Sequence, residues 1–137
     1  MRVVIPDLLW IGNAQDGRNV EAVLRLGIEA VIDLAIEEPP IVFPRETAYC
    51  RFPLIDGAGN PPALLQAAID TTISFIQGSV PTLVTCNGGM SRSPAIVAAA
   101  LVSIENISPE TALERVARVG PHDVSTTFWA DVKKEAL

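Results

Sequence analysis

The segment "PTLVTCNGGMSRSPAIVAAALVSIEN", Pro81 to Asn106, constrains the fold more than any other stretch of this 137-residue chain. Its second half, from Ser93 onward, reads as a helix that is apolar almost all round, and such a helix has to be wrapped by other elements rather than laid on a surface. Its first half, "PTLVT", is a short apolar run suited to a buried strand. A buried strand feeding a buried helix calls for at least two further layers, and the rest of the chain supplies them.

The remaining elements alternate in type. "LLWIGN" reads as a short strand, and "GRNVEAVLRLG" as a helix with Val20, Val23, Leu24 and Leu26 at near-helical spacing before Gly27 stops it. "IEAVIDLA" is a β-branched run for a buried strand, the Pro-rich "EEPPIVFP" a loop, and "TAYCRFPLI" the next strand. "DGAGNPP" marks a turn or mobile loop, after which Pro61 or Pro62 begins a helix to about Gly78 with Leu64, Leu65, Ala68, Ile69, Ile73 and Ile76 on one face. "SPETALERVARVGP" has Ser108 as N-cap, Pro109 at the first helical position and Gly120-Pro121 as a stop, and "STTFWADVKKEAL" makes a last short helix. Strands alternating with helices imply parallel pairing, hence an α/β fold with a mostly parallel central sheet and helices on both faces. The length suits one domain over residues 1–137, with no repeat, linker or low-complexity tract.

Composition removes several function classes. Nearly half the residues are apolar, which excludes a disordered chain, yet no apolar run approaches the roughly 20 residues of a membrane span. In "MRVVIPDLLWIG" Pro6 and Asp7 interrupt the apolar stretch and no small-residue cleavage site follows, so no signal peptide is read and the expected location is the cytoplasm. Two cysteines, Cys50 and Cys86, and one histidine, His122, provide neither a disulfide scaffold nor a metal-ligand pattern. A formal net charge of -6 argues against nucleic acid or an anionic membrane as a partner.

The chemistry lies in "TCNGGMSRSPA", Thr85 to Ala95. Ligands of open α/β sheets gather beyond the carboxyl ends of strands, where this loop sits. Gly88 and Gly89 allow positive φ and close backbone approach, so that the amides of Asn87, Gly88, Gly89, Met90 and Ser91 can converge into an anion-binding nest aided by the following helix N-terminus. Arg92, six positions after Cys86, brings a planar fork that matches two phosphate oxygens. A thiol of ordinary pKa, about 8.5, is only about 3% ionised at pH 7, and lowering it to about 5.5 takes roughly 4 kcal/mol of preferential stabilisation of the anion. A helix terminus provides about 0.3–2 kcal/mol, so amides, the Arg92 charge and a Ser93 hydroxyl must share the rest.

Cys86-x5-Arg92 with Gly89 and Ser93 resembles the signature of the cysteine-based protein tyrosine phosphatases, and "CNGGMSRSPAIVAAAL" is most similar to their dual-specificity branch. "IPDLLWIGNAQDGRN", "LGIEAVIDLA", "CRFPLID" and "SPETALERVARV" extend the likeness over nearly the whole chain. The resemblance implies a cysteine-phosphatase-like fold and a phosphatase of phosphotyrosine, and of phosphoserine or phosphothreonine, with Cys86 as nucleophile, Arg92 and the loop amides as transition-state stabilisers, Ser93 beside the thiol, and no cofactor or metal. It also implies a general acid some thirty residues upstream. Asp56 fits, thirty positions before Cys86 at the end of a strand. Asp70, within a helix, and Asp33, within a strand remote from the signature, are weaker choices.

One departure is visible: the family's His before the nucleophile is Thr85 here, which supplies no positive charge. A non-catalytic phosphate-binding module and a phosphatase of a non-protein phosphoester therefore stay open as alternatives. A sulfurtransferase loop lacks the Arg-Ser closure, and the low-molecular-weight phosphatase group has the reverse order of Asp and Cys. Cys50 reads as a buried strand thiol or, more sharply, as a redox partner of Cys86. His122 reads as a loop residue, Trp10 and Trp129 as packing, and Lys133 and Lys134 as a solvated helix end.

Overall fold

The computed structural model describes residues 1–136. Its elements run β1 (Arg2–Ile5), β2 (Leu9–Gly12), α1 (Ala14–Arg18), α2 (Val20–Arg25), β3 (Ala30–Ala35), β4 (Ala48–Leu54), α3 (Pro62–Gln77), β5 (Thr82–Thr85), α4 (Arg92–Glu105), α5 (Pro109–Ala117) and α6 (Thr126–Ala136). The strands form one five-stranded sheet in the order β1-β2-β5-β3-β4. β2, β5, β3 and β4 are mutually parallel, and only β1 runs antiparallel to its neighbour β2. The expected mostly parallel sheet is what forms; Leu137, placed by sequence in the last helix, lies outside the described residues.

Strand periodicity divides the chain into two cores. Leu9, Ile11, Ile32, Leu34 and Val84 point into the larger one, which α3 to α6 cover, while Trp10, Val31 and Leu83 point to the opposite face and meet Val23 of α2, with Phe43 and Tyr49 packed at its edge. Helix α4 lies at the centre of the larger core and packs against α3, α5 and α6. All of its residues from Arg92 to Leu101 are buried, as a helix apolar all round requires. It stops at Asn106, which takes the left-handed conformation at φ 53° and donates its N–H to the Val102 carbonyl. α5 begins as expected, with the Ser108 hydroxyl accepting the Thr111 N–H and Pro109 in the first turn.

Two local features differ from the sequence reading. The apolar N-terminal stretch forms a hairpin of β1 and β2, because Pro6 and Asp7, the latter at φ 60°, make the turn between them. The single helix expected over Gly17–Leu26 is divided at Asn19, whose side-chain oxygen accepts the Ala22 N–H and starts α2 afresh. Upstream, Asn13 and Asp16 cap α1 reciprocally, each side chain accepting the other's backbone N–H at 2.9 Å. The short helix that follows β2 is thereby fixed against the end of β5.

Ile96 is fully buried in the middle of α4. Ile96→Ala should lower the free energy of unfolding by about 2–5 kcal/mol, the range for truncating a core aliphatic side chain, measured as a fall in the urea midpoint with an unchanged slope.

Candidate active site

The carboxyl ends of β2, β5, β3 and β4 converge on the loop Cys86–Ser91, which joins β5 to α4. Cys86 is 3% exposed, at the floor of a cavity of about 280 Å³ lined also by Glu37, Asp56, Asn87, Gly88, Met90, Ser91, Arg92 and Asp123. Its Sγ lies 3.1 Å from the hydroxyl oxygen of Ser93, the second residue of the buried helix.

The loop owes its shape to carbonyls tied on its outer side. The Asn87 carbonyl accepts the Ala14 N–H at 2.9 Å, the Met90 carbonyl accepts the Asp123 N–H at 2.8 Å, and the Gly89 carbonyl accepts from the Arg2 guanidinium. In a planar trans peptide the C=O and the next residue's N–H point opposite ways. Outward carbonyls at Asn87, Gly89 and Met90 thus turn the N–H groups of Gly88, Met90 and Ser91 toward the cavity, which those three residues line.

The two glycines do different things from those expected. Only Gly89 has a positive φ, 70°, and a Cβ added there would lie 3.0 Å from the carbonyl atoms of Gly12 and 3.1 Å from the Asn13 nitrogen. Gly89 is needed so that the outer side of the loop can pass over the end of β2, not to admit a ligand. Gly88 faces the cavity with room to spare, since its nearest neighbour would be the Met90 side chain at 3.8 Å.

Arg92 is buried, and its charge is matched in two directions. Nη1 and Nη2 each donate to a Glu37 carboxylate oxygen at 2.6 Å, and Nη1 also donates to the Leu54 carbonyl at 2.8 Å. Nε, also buried, finds no acceptor among the described residues. Burial opposes the guanidinium charge, but the Glu37 hydrogen bonds and charge, with smaller contributions from Cys86 and Asp56, outweigh it and push Arg92 upward. The hydrogen bonds from Arg92 in turn hold the Glu37 carboxyl below its ordinary value, although that side chain is 47% exposed.

Sequence reasoning read Glu37 only as part of a loop. The sheet order explains its role: β3 is the neighbour of β5, and a register shift between Asp33 and Ala35 turns the chain toward the Cys86 loop, with the Ile36 N–H on the Leu54 carbonyl. Asp123 was missed for the same reason, because only folding brings the loop after α5 to the cavity. The signal that finds both is a carboxylate just beyond a strand or helix end whose neighbour carries the cysteine.

Asp56 accepts a 2.6 Å hydrogen bond from the Ser91 hydroxyl, whose oxygen also accepts the Ser125 N–H at 2.9 Å. Its segment, read from the sequence as a turn or mobile loop, is stapled by the buried side chain of Asn60, which accepts the Ile55 N–H at 2.8 Å and donates to the carbonyls of Ile55 and Gly57. Asn87 turns its side chain away from the cavity floor to donate to Glu38 at 2.7 Å. Asp70 lies on α3 and accepts from Gln66. Asp33 is not remote from the signature as expected, since β3 pairs it with Thr85, but its carboxylate is engaged by the Tyr49 hydroxyl at 2.6 Å and the Ala35 N–H. Burial and that bond together push the Tyr49 phenol upward.

A Cys50–Cys86 redox pair does not fit the sheet. Cys50 is in register with Ile32, and Ile32 with Val84, so β3 lies between β4, which carries Cys50, and β5, directly after which Cys86 stands. Two strand spacings, roughly 9.5 Å, exceed the Cα separation of about 7 Å that a disulfide allows. Cys50 is half-buried, and burial pushes its thiol upward. His122 lies beside the site without lining the cavity, its Nδ1 buried and unpartnered among the described residues.

No family model matches the chain. Mouse dual specificity phosphatase 28 is 28% identical over 131 residues, covering 92% of this chain and 78% of the mouse protein. A crystal structure of a mouse putative dual specificity phosphatase complexed with zinc tungstate matches with a TM-score of 0.86 at 27% identity, over 98% of this chain and 85% of that one. Both similarities support the resemblance of this chain to the dual-specificity branch of the cysteine-based protein tyrosine phosphatases. Rat phosphatidylglycerophosphatase and protein-tyrosine phosphatase 1 is 33% identical over 86 residues, 62% of this chain, which spans 45% of the rat protein's length.

The Glu37–Arg92 pair has a pH signature. Glu37 is lowered from 4.5 on folding, so the pair contributes stability that is fully present above about pH 4.5 and is lost as the pH falls through the lower folded value. The difference in urea midpoint between the wild type and Glu37→Gln should therefore be constant from pH 7 to 5 and shrink as the pH falls below about 4.5 through the lowered folded value.

Proposed function

We propose that this chain is a phosphatase that hydrolyses phosphomonoesters through a phosphocysteine intermediate. What carries the reading is one juxtaposition: the buried Cys86 Sγ and the buried Arg92, with Nε unpartnered, share a cavity into which three loop amides turn and at whose edge Asp56 stands. A tetrahedral dianion seated there meets Nε–H and the amides of Gly88, Met90 and Ser91 through its oxygens. The Cys86 thiolate forms an S–P bond as the P–O bond to the leaving group breaks, and Asp56 gives that oxygen its proton. Water then attacks the phosphocysteine with Asp56 taking its proton, the S–P bond breaks, and the Ser93 hydroxyl, 3.1 Å from Sγ, donates to the departing thiolate.

The tungstate in the crystal structure of the mouse relative is itself a tetrahedral oxyanion, which supports an oxyanion ligand for the scaffold. The lining selects among phosphoesters. Glu37, Asp56 and Asp123 face the cavity against the single cation Arg92. A second or third phosphate on the same molecule would meet carboxylates, so phosphotyrosine, phosphoserine or phosphothreonine in a protein is favoured over a polyphosphorylated lipid headgroup.

Thr85, buried where a charged side chain would support the loop, favours one rival, a module that binds phosphate without turnover. Hydrolysis of an aryl phosphate separates the two. Cys86→Ser should abolish it while vanadate still binds; unchanged turnover in that variant ends the phosphocysteine mechanism, and an inert wild type that binds phosphate selects the rival. Asp56→Asn should slow an alkyl phosphate by about 100-fold or more and a nitrophenyl phosphate far less, because protonation matters most for a basic leaving oxygen. Equal losses on both would remove Asp56 from the acid role.

A further inference from the structure

We propose that Arg2, on the edge strand β1, is a positioning residue for the Cys86 loop. It holds the Gly89 carbonyl outward and polarises the Gly89–Met90 peptide, so that the Met90 N–H facing the cavity becomes a stronger donor. The inference rests on the phosphatase reading for its consequence and on three observations for its geometry.

First, the Arg2 guanidinium donates from Nη2 to the Gly89 carbonyl and from Nη1 to the Pro121 carbonyl, bridging the outer side of the loop to the segment after α5. The same segment reaches the loop once more through the Asp123 N–H on the Met90 carbonyl, so the two strokes flank the peptide of Met90. Second, the chain is shaped to let Arg2 pass. A Cβ added to Gly120 would lie 2.2 Å from Arg2 Cδ, and Gly120 does not adopt a positive φ that would otherwise demand glycine. Third, among the described residues no carboxylate pairs with Arg2. The neighbouring Asp16 accepts the Asn13 N–H in its capping box. The Arg2 charge is therefore directed at carbonyls, where a charge-assisted bond is about twice as strong as a neutral one.

A positive charge on the acceptor end of a peptide unit increases the partial charge on its N–H, and the effect passes through the unit without any movement. Met90 N–H is aimed at the space that holds the sulfur and the phosphoryl oxygens, near Arg92, Asp56, Glu37 and Asp123, whose charges also face that cavity. Thr85 offers the loop no cation from below. Arg2 offers one from behind.

The experiment uses the full chain in a Cys50→Ser background, so that only Cys86 is alkylated. Arg2→Met and Arg2→Lys are compared with the parent for the rate of iodoacetamide alkylation at pH 6, inhibition by vanadate, aryl phosphate turnover and the urea midpoint. Arg2→Met should slow alkylation and weaken vanadate by about five- to tenfold, with Arg2→Lys recovering part of both, since an ammonium keeps the charge but not the fork. Gly120→Ala, which displaces the Arg2 side chain while leaving its charge in the protein, should move both readouts in the same direction. An active parent whose alkylation rate and vanadate inhibition are unmoved by Arg2→Met overturns the role of Arg2 and leaves the phosphatase reading standing. Loss of turnover that tracks only the urea midpoint, with alkylation unmoved, overturns it equally. A parent that folds yet never hydrolyses an aryl phosphate sinks the phosphatase reading itself.

Discussion

A guanidinium that is almost wholly buried must be matched by other charges and acceptors, and the end of this sheet is organised around that requirement. Arg92 stands at the first position of α4, the most buried helix, so it cannot reach solvent without dragging the core with it. Two carboxylate oxygens of Glu37 and the Leu54 carbonyl take its donors on one side. Its Nε has no partner among the described residues. The pair is asymmetric: the cation is buried and the carboxylate is nearly half exposed, so the partner that must stay fixed is the one the core holds. A change at Glu37 would leave a buried charge with only a carbonyl, which is the costly way to break an ion pair.

The cup formed by the loop Cys86–Ser91 is built by the same logic applied to the backbone. A loop cannot turn successive N–H groups inward unless the matching carbonyls are satisfied outside, because a buried unpaired carbonyl carries its own desolvation cost. Here the outer partners come from α1, from the edge strand β1 and from the segment between α5 and α6. Three elements distant in sequence thus fix one six-residue loop, and Ser91 joins the Asp56 loop to it through a single hydroxyl. Asp56, Cys86 and Arg92 are held relative to one another by hydrogen bonds rather than by chain proximity.

Much of the fold was legible because its signals are local. β-branched runs, proline at helix starts and the all-round apolar helix gave the parallel strands and the buried α4, and the Ser108 cap and the proline-rich loops fell where their residue types place them. The first strand was missed because four residues of β1 pair with a hairpin partner only three positions away, and Pro6 and Asp7 read as an interruption rather than a turn. The division of the first helix was missed because Asn19 competes for a backbone N–H, which periodicity does not register. Around the cavity, Cys86, Arg92 and Ser93 were singled out by the motif and Asp56 by the resemblance that the motif carries, whereas Glu37, Asp123, Asn60 and Arg2 were not, since each reaches its place across a contact that only the tertiary fold creates.

The sequence by itself determined the alternation of strands and helices, the loop that carries sulfur and guanidinium six positions apart, and the resemblance to a phosphatase branch that this motif carries. Only the tertiary structure decided which carboxylate neutralises Arg92, why Gly89 rather than Gly88 needs its missing Cβ, and that Cys50 stands two strands away from Cys86. The physical reason is range. Propensity, capping and turn chemistry act within a few residues and leave a mark on composition, while charge pairing, backbone clearance and strand separation depend on which segments the buried core brings side by side.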